Sequence, residues 1–291
     1  MFIILPYCNI QSMLFLLQYL IYGGVNMKNM SLGGSKDYTY LNFSTDSSTS
    51  STKGCLLKTF YNVLYYKLSN YDFYLKTFGN ESIYEVIAYR VGKLLGFNTL
   101  EYSICVGKIK IDDTILDSVF CCSKDFNPQK YRKVKLEDLY ALEHNEGENL
   151  LEYLERISLI EYIYKIMIFD YIICNRDRHG ANIEFLIEND KIIPTPIFDN
   201  GVSFLFSCKD DNALLKYDIT SNPRANNYVG SQDLEYNLSL IKKPIKFTSI
   251  NYGDAEFIFH DLSDCITTIH KNKIMDMLVW RCQHAKEILD F

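Results

Sequence analysis

The chain has 291 residues, 48% hydrophobic and 23% charged, which excludes a peptide hormone or a disulfide miniprotein and supplies a sizeable core. Thirty Lys and Arg against 36 Asp and Glu give a net charge of −6, so no general field draws it to DNA, RNA or an anionic membrane; any phosphate must be held locally. The nine cysteines, Cys8, Cys55, Cys105, Cys121, Cys122, Cys174, Cys208, Cys265 and Cys282, form no CxxC pair or zinc-spaced cluster, and read as buried thiols of a cytoplasmic protein.

Residues 1–27 carry no charge, and the run MLFLLQYLIYGG lacks the basic region and small-residue cleavage site of a secretory signal. Asn9, Gln11, Ser12 and Gln18 weaken it as a membrane span. It reads as a leader ahead of MKNM at 27–30, with a helix docked on the body as the other soluble outcome. A β-rich lobe is expected over 28–123. In it, STDSSTSSTKG at 44–54 is a loop inside a sheet, and LLKTFY and VLYYKLS form a hairpin about Asn62 with Lys67 in its second strand. ESIYEVIAYRVGKLLGF sets Ile83, Ile87, Val91, Leu94 and Leu95 at helical spacing, with Gly96 as C-terminal cap. Strands follow at 101–111 and 115–122, and then a polar stretch, 124–150, reads as a surface excursion or a boundary between lobes. EYLERISLIEYIYKIMIFDYIIC predicts one long helix, buried in its second half, and the pattern past 208 is mostly helical. Residues 124–291 thus make an α-rich lobe, and the whole is an α+β plan of two lobes.

The chemistry gathers after the buried helix. CNRDRHGANIEFLI sets Asp177 and Asn182 five residues apart, and the strand-like IIPTPIF ends in Asp199 before Gly201. Phosphoryl transfer needs a carboxylate to orient an attacking hydroxyl and take its proton, which suits Asp177. It also needs hard oxygen ligands for Mg²⁺, which suits Asn182 and Asp199. NIEFLI and KIIPTPIF read as a hairpin bringing those two to one end. Each Asp alone could simply cap a loop; their joint order favours the functional reading. His179 reads as scaffold, and Arg178 is left to pair with an acid or to contact substrate phosphate.

Upstream, Lys67 is expected to face the cleft, steadied by a carboxylate of the following helix, where Glu81 and Glu85 lie at i, i+4. Glu85, one turn inside, suits the pairing; Glu81 could instead complement the helix dipole. A surface role on an edge strand is the competing reading for Lys67, with Lys58 as the alternative lysine. Ser50, Ser51, Thr52, Lys53 and Gly54 form a loop able to cradle phosphate through backbone N–H groups and hydroxyls.

These stretches, KGCLLK, YYKLSNYD, ESIYEVIAYRVGKLLG, FDYIICNRDRHGANIEFL and PIFDNGVSFLFS, spread over 44–208. They resemble the HipA-like family of bacterial serine/threonine kinases, in its short members that carry only the kinase-like core. The resemblance implies a two-lobed protein-kinase-like fold, ATP with Mg²⁺, and transfer of the γ-phosphate to a protein hydroxyl. It implies Asp177 as catalytic base, Asn182 and Asp199 as metal ligands and Lys67 as the lysine on the phosphates. Autophosphorylation at Ser50 or Ser51, a protein substrate and an antitoxin-like partner also follow from it. The chain departs from the family in carrying hydroxyl residues where the loop usually has glycines, and in lacking the small N-terminal subdomain tied to DNA-bound regulation.

Three other readings compete. A phosphoinositide or small-molecule kinase shares DRHxxN followed by DxG, but no basic membrane-binding patch accompanies it here. A catalytically dead nucleotide-binding module has no need of Asp177, Asn182, Asp199 and Lys67 together. A metal-dependent hydrolase using Asp177, His179 and Asp199 leaves Lys67 unexplained.

Overall fold

A computed structural model of the chain describes residues 36–43, 57–61, 63–72 and 77–289; the leader at 1–27, the serine-rich loop at 44–54, Cys8 and Cys55 lie outside them. Strand β1 (Lys36–Phe43) is followed by β2 (Leu57–Tyr61) and β3 (Leu64–Leu68), and β2 and β3 pair antiparallel across the expected hairpin, Lys58 opposite Lys67. After the short ribbon β4 (Tyr71–Asp72) and β5 (Thr77–Phe78) comes helix α1 (Glu81–Leu95). The long hairpin β6 (Tyr102–Ile111) and β7 (Thr114–Lys124) then completes a five-stranded sheet of order β1-β6-β7-β3-β2, with β1 parallel to β6.

Side chains alternate across a strand, and that decides where Lys67 goes. Tyr66 and Leu68 join Leu41, Phe43, Ile109, Ile111 and Phe120 in one apolar cluster. Lys67 between them points to the other face, toward α1. That helix forms because its apolar residues fall on one stripe: Ile83, Ile87, Val91 and Leu95 are all buried. It ends at Gly96, whose φ of +81° is the left-handed conformation glycine adopts without strain; Phe97 N–H then donates back to Gly92 O at 2.8 Å.

The inner face of the sheet (Tyr102, Val119, Cys121), α1 and the helical lobe share one continuous apolar core. The polar 124–150 stretch holds β8 (Arg132–Lys135) and α2 (Leu136–Glu143), and β8 pairs antiparallel with β9 (Glu184–Glu188). The single long helix expected next is instead two, α3 (Leu150–Arg156) and α4 (Ile160–Ile173). Ser158 turns left-handed at φ +62°, and Leu159 N–H donates to Leu154 O at 2.8 Å, closing α3. The break has a physical reason: α3 keeps Glu152, Glu155 and Arg156 in solvent, whereas α4 is buried nearly all round. One straight axis could not serve both.

Strands β9 (Glu184–Glu188) and β10 (Lys191–Pro194) form the expected antiparallel hairpin. Its tip, Asn189 and Asp190, has both φ values positive, as a tight two-residue turn of this kind requires. Past 208 the chain is less helical than expected: short helices α5 (Asp211–Lys216), α6 (Leu234–Ser239) and α7 (Ala255–Ile258) stand in irregular segments before the long α8 (Thr268–Leu289). Helix α8 packs on α4 through buried Arg281, whose Nη1 donates to Tyr171 O at 3.0 Å. The seven described cysteines are free thiols, six of them buried. Among the described residues no helix is long and apolar enough to cross a membrane.

Candidate active site

Helix α4 ends at Cys174, in the left-handed region at φ +53°, and the chain leaves it as the irregular segment Asn175–His179. What pins this loop is a charge buried in an otherwise apolar helix. Asp170 accepts from Arg178 Nε at 3.0 Å and Nη2 at 2.9 Å, and from Asn175 Nδ2 at 3.0 Å. Arg178 spends its remaining donors on Asn182 O (3.3 Å), Phe198 O (2.5 Å) and Asn200 Oδ1 (2.5 Å). The arginine therefore pairs with an acid, and its full burial takes it out of reach of substrate. It ties the loop after α4 to the loop after β10, the two segments that carry Asp177 and Asp199.

Asp177 is half-buried, and its main-chain N–H donates to Asn175 Oδ1 at 3.2 Å. The chain then turns through Gly180–Asn182, where Asn182 N–H donates to the His179 carbonyl at 2.9 Å. A side chain at Gly180 would come within 2.8 Å of Glu137 Cβ, so this turn needs glycine against α2. Asn182 Nδ2 donates to the Asp177 carbonyl at 2.9 Å, which leaves its Oδ1 as the donor atom for a cation. Beyond β10, Ile197 bridges to the segment after α1: its N–H donates to Asn98 O and its carbonyl accepts from Leu100 N–H. Two residues later Asp199 takes φ +61°, a left-handed backbone that Asp and Asn adopt more readily than other residues with a side chain.

Lys67 meets both ends of this construction. Its ammonium bonds Glu85 Oε1 of α1 and lies 2.8 Å from Asp199 Oδ1. The other oxygen of Glu85 accepts from Asn200 N–H at 2.9 Å, so one carboxylate spans sheet, helix and loop. The side chains of Lys67 and Glu85 are 4% and 0% exposed, that of Asp199 25%: the group is sealed on the helix side and open at Asp199. Burial by itself pulls the Lys67 pKa down, but Asp199 and Glu85 together outweigh it and hold it well above the ordinary lysine value. The Tyr102 ring, 5.5 Å from the ammonium, closes the sheet side. Glu81, the other helix glutamate, stays one turn away with its pKa raised by burial. The backbone of Lys58 lies opposite Lys67 on β2.

Ser50, Ser51, Thr52, Lys53 and Gly54 fall outside the described residues. Sequence reading missed Asp170 and Asn226. The first left a signal, a lone acid within IMIFDYII, since a charge in a wholly apolar helix must find a partner. The second left none: Asn226 lies 49 positions beyond Asp177, yet its Nδ2 donates to Asp177 Oδ1 at 3.0 Å.

Among the described residues no group of three or more His, Cys, Asp or Glu could hold a metal by itself. A carboxylate and a carboxamide, Asp199 and Asn182, are instead what Mg²⁺ takes from a protein when phosphate oxygens and water complete its shell. The donor set fits that ion.

The fold and these contacts define a two-lobed protein-kinase-like molecule: a β-sheet lobe offering a lysine, one helix offering its glutamate, and a helical lobe offering acidic loops. Among solved structures, the Helicobacter pylori proinflammatory kinase CtkA matches over 88% of this chain and 99% of its own, at 19% identity and a TM-score of 0.55. HipA from the Shewanella oneidensis toxin–antitoxin complex with HipB and operator DNA matches 99% of this chain and 76% of its own, at 12% identity and TM-score 0.46. Hydra Fam20, solved with sugar, matches 86% of this chain and 87% of its own, at 11% identity and TM-score 0.42. The likeness to CtkA carries the fold, and there the resemblance drawn from the motifs is met. No family model and no curated protein matches the chain.

Proposed function

We propose that this protein is an ATP- and Mg²⁺-dependent kinase that transfers the γ-phosphate to a serine or threonine hydroxyl of a protein, itself included. The observation that carries the reading is the Lys67 ammonium, bonded to Glu85 and 2.8 Å from Asp199, on a fold of kinase type. Residues 28–123 form the lobe that covers the nucleotide and 124–291 the lobe that receives the acceptor. Lys67 contacts the phosphates and is aimed by Glu85. Ser50, Ser51, Thr52, Lys53 and Gly54 cover the phosphates with backbone N–H groups and hydroxyls. Asn182 and Asp199 hold Mg²⁺, which when bound neutralises charge on the phosphate oxygens. Asp177 orients the acceptor hydroxyl and takes its proton as the hydroxyl oxygen bonds to the γ-phosphorus; the bond to the bridging oxygen breaks and ADP departs.

Transfer of labelled γ-phosphate, in wild type beside Asp177→Ala, tests this. The variant is expected to lose about 10²–10⁴-fold in rate and to keep its affinity for ADP. Equal incorporation in both proteins would end the reading, and ADP binding with no transfer by the wild type would make the chain a nucleotide-binding module.

A further inference from the structure

The segment from Asn222 to Asp233 belongs to no helix or strand, yet it runs directly beside the loop that carries Asp177. Asn226 N–H donates to Arg176 O at 2.8 Å and Tyr228 N–H to Arg178 O at 3.0 Å, so the two segments bond on either side of Asp177. On the loop's other side Arg176 N–H donates to Val202 O at 3.0 Å, which fixes the loop from both flanks. The segment is closed on itself: Ala225 N–H donates to Gln232 O at 2.9 Å, and Asn227 Nδ2 to Ser231 O at 3.3 Å. Ala225 is buried, whereas Asn226 is exposed and turned to Asp177 Oδ1. An exposed Asn whose backbone is anchored in this way has given up much of its freedom before it meets its partner.

A half-buried carboxylate turns readily about its last bond, and either oxygen can take the forward position. The carboxamide removes that freedom. Oδ1 of Asp177 is occupied by Nδ2 of Asn226; among the described residues no donor lies on Oδ2. One oxygen is held and the other is left for an incoming hydroxyl. The holding group is neutral, so it fixes the carboxylate without adding a positive charge where an acceptor has to enter.

We propose that Asn226 is a positioning residue for proton transfer at Asp177, clamping one carboxylate oxygen so that the other faces the acceptor hydroxyl. The proposal rests on the kinase reading above, and its test separates the two. Steady-state transfer is measured for wild type, Asn226→Ala, Asn226→Asp, Asp177→Ala and the double variant Asp177→Ala/Asn226→Ala. Asn226→Ala is expected to lower kcat about 10- to 100-fold, the scale of a misplaced reacting group, with KM for ATP and the unfolding midpoint unchanged. Asn226→Asp keeps the shape, loses the donor and adds a like charge, so its deficit exceeds that of the alanine variant and shrinks as salt rises. In the Asp177→Ala background the Asn226 substitution has nothing left to orient and changes the residual rate no further.

An unchanged kcat in Asn226→Ala overturns the role, as does an equal loss with and without Asp177. A raised KM for ATP together with a lowered midpoint also overturns it, in favour of a residue that only closes its loop. Wild-type protein that transfers no phosphate overturns the kinase reading and this role with it.

Discussion

Two buried cations meet within this site, and they are built differently. Arg178 has its guanidinium saturated by a carboxylate, two backbone carbonyls and a carboxamide. Lys67 has two carboxylates, one sealed and one a quarter exposed. The planar guanidinium, with donors pointing several ways at once, suits a knot joining loops; the ammonium on a flexible stem suits a charge that can change partners. The two cations are thus held differently, one with every partner enclosed and one with a partner a quarter exposed.

Removing Arg178 is the severest challenge to that difference. Arg178→Ala strands Asp170 in the core, and a broken buried pair of this kind costs about 3–5 kcal/mol. Chemical denaturation should show it, and a wild-type midpoint would dissolve the contrast. Acid should then weaken the fold through a contact of the helix that carries Glu85. Tyr84 of α1 bonds His270 of α8 at 2.7 Å, and burial holds that histidine down to about 4 from 6.5. The unfolded chain therefore takes the proton first, and stability is lost as pH falls from 6.5 toward 4, by about 3 kcal/mol in total. His270→Gln should flatten the stability profile across that window; parallel curves for variant and wild type would exclude the histidine as the cause. The mildest change is Asp199→Asn. Lys67 keeps its bond to Glu85 and a polar group remains at position 199, so the fold survives the change, but the added thermal stability from Mg²⁺ with nucleotide should vanish. Stabilisation equal to that of the wild type would remove Asp199 from the metal site.

Local pattern carried much of this architecture. The α1 stripe, the hairpin of Lys67 and the β9–β10 pair were readable because their cues lie within a few residues: helical apolar spacing, Gly96, and paired apolar runs such as NIEFLI and KIIPTPIF. The turn at Ser158 was not, because no Gly or Pro marks it and the reason for it is the differing burial of α3 and α4. Strand β8 hid in a charged stretch, since only its pairing with β9 makes it a strand. In the site, DxxxxN and the later DNG announced themselves by order. The partner of Arg178 and the reach of Asn226 depend on how the chain returns, and residue spacing does not encode that.

Helix α1 is fastened at several points along its length. Ser82 bonds Ser69 and the Lys67 carbonyl at one end, and Tyr84 bonds His270. Farther along, Arg90 bonds the carbonyls of Ile258 and His260 and the carboxylate of Asp261. Swinging this helix out to separate Glu85 from Lys67 would break most of those bonds at once. The helix stands as a fixed post rather than a lever, held from the sheet at one end and from the C-terminal segments along its length.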